Sequence, residues 1–182
     1  MNKKVKLAAG IGMVILAAVL IFLRMGEKPV ITVNGDAVYE DEYTFLTKVS
    51  TGISGETGGR ERVTALKCEQ QLLKSYNIVE DISYDGFLEE VKQVNRERKE
   101  ELERGGHVYG PETYTAQIYY DYKYSEARET LIRQVLMGEI KDPEADQNNN
   151  ADKDGQEQYQ TACRRYRELV QEIISSGMNG SK

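Results

Sequence analysis

Read for hydrophobic periodicity, the chain separates into one unbroken apolar run and a series of shorter two-faced stretches. From Leu7 to Leu23, 17 residues, no side chain is charged or strongly polar, and a helix of about 17 to 25 such residues spans a bilayer. After it, Val30-Ile31-Thr32-Val33 is short and β-branched, Asn34-Gly35 tolerates positive φ, and Ala37-Val38-Tyr39 resumes the extended run. A small β-hairpin is predicted. Glu40, Asp41 and Glu42 then crowd a first helical turn, and Phe45, Leu46 and Val49 give it an apolar side, which predicts a helix over about 40–50. The stretch from Thr51 to Gly59 holds four glycines and no periodicity, and reads as a loop.

A second helix is predicted from Arg60 to the turn at Asn77, with Ala65, Cys68, Leu72 and Tyr76 on one face beside Leu66 and Leu73. Ser83 is placed to cap a third, whose buried stripe is Phe87, Val91 and Val94, and which Gly105-Gly106 stops. Pro111 suits the first turn of a fourth, running to about Gly138 through Ile118, Tyr122, Ile132, Val135 and Leu136. The polar stretch 141–156, rich in Asp, Asn and Gln, reads as a flexible linker. A last helix over about 157–177 carries Ala162, Tyr166, Leu169 and Ile173 at steps of four, three and four, a stripe that needs a partner and so returns to the others. The expected fold is mainly α: a transmembrane helix, a hairpin, a helical domain over 30–140, and a returning C-terminal helix.

Charge orients this arrangement. Lys3, Lys4 and Lys6 precede the apolar run, so residues 1–6 are expected in the cytoplasm, with the rest exported from a single-pass anchor over 7–23. A cleaved signal peptide shares this layout, but Arg24-Met25-Gly26-Glu27 lacks small residues at an A-x-A spacing. Without Lys3, Lys4, Lys6 and Arg24 the exported part keeps 20 of the 24 basic residues against all 30 acidic ones, a net charge of −10. Nucleic acid is thereby excluded as a partner, since phosphate binding needs a basic face. The lipid bilayer enters only through the N-terminal helix.

Catalytic chemistry has little to stand on. Nucleophilic catalysis usually calls for a histidine base, and His107, beside a Gly-rich turn, is the only one and reads as a surface residue. Neither a Walker loop nor a dinucleotide G-x-G-x-x-G occurs, and one His with two widely spaced Cys makes no zinc set. Asn150-Ala151-Asp152-Lys153-Asp154-Gly155 imitates the start of an EF-hand loop, but the twelfth position is Thr161 where a bidentate Glu is needed. No cofactor, metal or catalytic residue is expected. Cys68 and Cys163 could form one bridge at most, and read as two small buried residues that do not meet. The aromatic content gathers at Tyr114, Tyr119, Tyr120, Tyr122 and Tyr124. Core packing explains at least half of these, and a peptide-binding surface is the reading for the rest.

The run Val30-Ile31-Thr32-Val33-Asn34-Gly35-Asp36-Ala37-Val38-Tyr39-Glu40-Asp41-Glu42-Tyr43 resembles the opening of SurA and PrsA type extracytoplasmic foldases. There a strand, an Asn-Gly turn, a second strand and an acidic helix start recur in that order. The resemblance continues through Tyr76-Asn77-Ile78, Ser83-Tyr84-Asp85-Gly86-Phe87 and Val108-Tyr109-Gly110-Pro111, and covers about Val30 to Leu136. It implies a chaperone cradle for unfolded exported polypeptides. The family's separate parvulin domain, which isomerises proline, has no counterpart here, and 141–156 is too short to hold one. The leading expectation is therefore a non-enzymatic, membrane-tethered chaperone-like module with Tyr114, Tyr119, Tyr120, Tyr122 and Tyr124 as candidate peptide contacts. A degenerate or partner-dependent peptidyl-prolyl isomerase and a structural adaptor of an envelope complex are the alternatives.

Overall fold

The computed structural model describes residues 27–50, 59–140 and 151–179. The apolar run 7–23, the basic tail 1–6, the glycine-rich stretch except Gly59, and 141–150 of the expected linker lie outside the described residues. Among the described residues no helix is long and apolar enough to cross a membrane. The fold is mainly helical with one two-stranded antiparallel hairpin.

Strands β1 (Ile31–Val33) and β2 (Asp36–Val38) pair with Ile31 opposite Val38 and Val33 opposite Asp36. Asn34 and Gly35 both take positive φ, 50° and 91°, the condition for the tight turn that matches strand twist. A hairpin this short is not stable alone. It is held because Ile31, Val33 and Val38 are buried and because Gln71 ties both strands to a helix: its Nε2 donates to the Val33 carbonyl at 3.0 Å and to Asp36 Oδ2 at 2.8 Å.

That helix, α2 (Gly59–Ser75), is the axis of the domain. The hairpin, α1 (Glu40–Leu46), α4 (Ala116–Thr130) and α6 (Ala151–Asn179) all pack against it. An axial helix must bury more than one stripe, and α2 does so: Val63, Leu66, Cys68, Leu72 and Leu73 are inside, together with Lys67, Glu69 and Gln70. Asn77 ends the turn after it in the left-handed region, φ 56°.

Helix α3 (Tyr84–Glu103) begins as expected, with Ser83 Oγ accepting from the Gly86 N–H at 3.2 Å, and stops before Gly105, φ 79°. The start of α4 corrects the expectation built on Pro111. The cap is Thr115, whose side chain accepts from the Ile118 N–H, and Pro111 lies in the preceding connector. Side chains of α3 hold that connector in place. Asn95 bonds both the N–H and the carbonyl of Tyr114, at 2.8 and 2.9 Å, and Arg98 donates to the carbonyls of Tyr109, at 2.8 Å, and Pro111.

Helix α4 runs through a π-helical stretch, Leu131–Leu136, into α5 (Met137–Ile140). The wider π turn brings Leu131 and Leu136, five positions apart, to one buried face against α6. Helix α6 does return to the bundle, burying Ala162, Tyr166 and Val170, with Leu169 and Ile173 half-buried. It starts earlier than expected, so 151–156 is helix and not linker. The sequence resembling the start of an EF-hand loop is thus helical from Ala151. Among the described residues no cluster of His, Cys, Asp or Glu could hold a metal ion.

Cys68 is buried and Cys163 partly so, and both are free thiols. Burial pushes the Cys68 thiol up to about 11, against the opposing hydrogen bond from Asn34.

Candidate functional site

The aromatic residues divide the domain into a closed core and an open flank. In the core, Phe45 of α1 meets Tyr84 and Phe87 of α3 and Tyr120 of α4, with ring centroids 5.3 to 5.6 Å apart. Tyr120 packs on Tyr124 at 4.3 Å. Such tilted and edge contacts add to area burial. Tyr120 and Tyr124 are each 2% exposed, which removes both from the candidate peptide contacts: their rings are the core. Their phenols are held well above the ordinary tyrosine range, first by burial and then by neighbouring charges and phenols. Tyr120 Oη accepts from Gln70 at 3.0 Å.

Of the other three candidates, Tyr119 and Tyr122 lie on the outer edge of α4 and Tyr114 lies just before its cap. Tyr119 is buried against Phe87, and its hydroxyl donates to Glu90 at 2.8 Å. Burial first, then that carboxylate, raises its pKa far above the usual value. Tyr114 is half-buried under the Arg98 guanidinium, 4.6 Å from its ring centroid, and stacks on Tyr122 at 6.0 Å with a 21° interplanar angle. Tyr122 is 50% exposed. Its hydroxyl bonds Glu126, which is the first cause of its raised pKa.

Between this edge and the loop joining α2 to α3 lies a cleft of about 510 Å³. Ile78, Val79, Ala127 and the rings of Tyr119 and Tyr122 form its apolar part, and Glu80, Asp81, Glu90 and Glu126 its acidic part. Among the described residues Lys123 is the one cation lining it, and it is paired with Glu90 while lying 5.8 Å from the Tyr124 ring. Tyr119 and Tyr122 are thus brought to one cleft, Tyr114 borders it through its stack on Tyr122, and Tyr120 and Tyr124 are behind the wall. Its size and partly apolar lining fit a short segment of another molecule.

Sequence reasoning missed one wall of the cleft and two buried polar groupings. Ile78 to Asp81 read only as a turn, yet they make one wall of the cleft. Inside the bundle, Glu69 is 2% exposed and collects Arg128 from α4 (Nε at 2.7 Å) and Tyr166 from α6 (2.7 Å). Lys67, also buried, pairs with Glu42 at 3.0 Å. On a helix assumed to have one wet face, these polar residues carried no signal of burial.

His107 is exposed in the connector after α3, apart from these constructions. No family model, no curated protein and no solved structure matches this chain.

Proposed function

We propose that the chain is a membrane-anchored, extracytoplasmic chaperone-like module that binds extended segments of unfolded exported polypeptides and catalyses no reaction. The observation that supports this best is the cleft beside α4. It is open, presents apolar and aromatic surface at Ile78, Tyr119 and Tyr122, and is edged by carboxylates. Contacts of this kind are adaptable, because tyrosine offers large area at low entropic cost. The N-terminal apolar run supplies the tether, with the N-terminus cytoplasmic, and a tether raises local concentration near emerging chains without demanding tight binding. The resemblance of Val30 to Leu136 to the SurA and PrsA foldases points the same way.

Aggregation of a chemically unfolded exported protein, followed by light scattering with the full chain in lipid nanodiscs, tests the proposal. Suppression is expected, and its reduction by Tyr122→Ala. No protection, or turnover in a proline-isomerisation assay, would overturn it. A single dominant crosslinked partner in membranes would favour an envelope adaptor instead.

A further inference from the structure

The lining of the cleft is unbalanced in charge. Four carboxylates, Glu80, Asp81, Glu90 and Glu126, face one ammonium, Lys123, so the lining carries three uncompensated negative charges (4 − 1). Glu90 is satisfied by Lys123 and Tyr119. Asp81 is partly engaged by the N–H and hydroxyl of Ser83. Glu80 has no ion pair among the described residues, and Glu126 meets only the neutral Tyr122 hydroxyl. Carboxylates gathered over an apolar wall focus a negative potential into the cleft. An acidic segment is repelled there, whereas a cation gains.

The fold already displays the chemistry of such a gain. Lys123 pairs its ammonium with the Glu90 carboxylate and lies near the face of the Tyr124 ring. Next to it on α4, Tyr122 offers a half-exposed ring beside Glu126; Arg98 lies over the neighbouring Tyr114 ring, and among the described residues no lysine or arginine pairs with Glu126 or stacks on Tyr122.

We propose that the cleft recognises extended segments in which lysine or arginine alternates with apolar residues, the cation lying between Glu80, Glu126 and the Tyr122 ring and the apolar neighbour against Ile78 and Val79. This rests on reading the chain as a binder of extended polypeptides, and names which ones. In an extended segment alternate side chains point to opposite faces, so adjacent cationic and apolar residues meet the two walls.

The test uses the full chain in phosphatidylcholine nanodiscs, whose neutral lipid does not itself attract cations. Two peptides of about nine residues, one alternating Lys and Leu and one alternating Gln and Leu, are followed by fluorescence anisotropy. The Lys peptide is expected to bind about ten-fold more tightly at 0.05 M salt, and the difference to collapse near 1 M, where the Debye length falls to about 3 Å. Glu80→Gln with Glu126→Gln, both exposed positions, is expected to weaken the Lys peptide about five-fold and leave the Gln peptide unchanged. Equal binding of the two peptides, or an unaffected double variant, overturns this inference while the binding function stands. Absence of binding by either peptide overturns both.

Discussion

Arg128→Met isolates the polar link that joins three helices. Glu69 lies on α2, is 2% exposed, and takes its donors from Arg128 on α4 and Tyr166 on α6. Removing the guanidinium leaves a buried carboxylate with a neutral phenol. Breaking a buried pair from one side costs about 3–5 kcal/mol. The Arg128 side chain retains 22% exposure, so water reaches its place and the lower end applies, about 3 kcal/mol. With a urea dependence of about 2 kcal/mol per molar, the midpoint falls by about 1.5 M. Tyrosine fluorescence reads this directly, since the chain has 12 Tyr and no Trp. Glu69→Leu combined with Arg128→Met is the control, because it removes the charge with its partner and is expected to recover much of the loss. A midpoint unchanged in Arg128→Met, or a double variant as unstable as the sum of the singles, refutes the reasoning.

Alkaline pH probes the phenols. Tyr119, Tyr120, Tyr124 and Tyr166 all have folded values raised above the ordinary 10.0, burial being the first cause in each. Their contribution to stability is complete below pH 10 and is lost as pH rises from there through the folded values. Absorbance at about 295 nm in a pH titration is therefore expected to show these four tyrosines ionising together with unfolding; ionisation of all 12 tyrosines with the fold intact contradicts this. Thiol labelling at pH 8 is expected to modify Cys163 quickly and Cys68 only on unfolding, since Cys68 is buried with its thiol pushed up to about 11. Equal rates would contradict that placement. Ser83→Ala is expected to lower stability by about 1 kcal/mol through loss of the α3 cap, measured by the same urea titration.

The elements whose signals are local were legible from residues alone. Asn34-Gly35 dictates its turn, Ser83 its helix start, Gly105 its helix end, and the Ala162 to Ile173 stripe a returning helix. Pro111 misled because a proline compatible with a first helical turn is equally compatible with the bent connector that Asn95 and Arg98 hold in place. The composition of 151–156 read as linker because Asp-rich helix starts and solvated linkers look alike before packing is known. The tyrosines were harder still. A helix bearing tyrosine at 119, 120, 122 and 124 shows aromatics on several faces, and only tertiary contacts decide that Tyr120 and Tyr124 meet Phe45 or each other while Tyr122 meets solvent. The cleft itself was not legible, since its Ile78–Asp81 wall and its Tyr119–Thr130 wall are distant in sequence.

Site-specific photo-crosslinking places the proposed binding surface directly. A photoreactive side chain in place of Ile78 in the full chain, exposed to an unfolded exported polypeptide, is expected to capture that polypeptide strongly. The same side chain in place of the exposed Glu100 on α3, away from the cleft lining, is expected to capture little. Equal capture at the two positions, or capture at Glu100 alone, would contradict binding through the cleft.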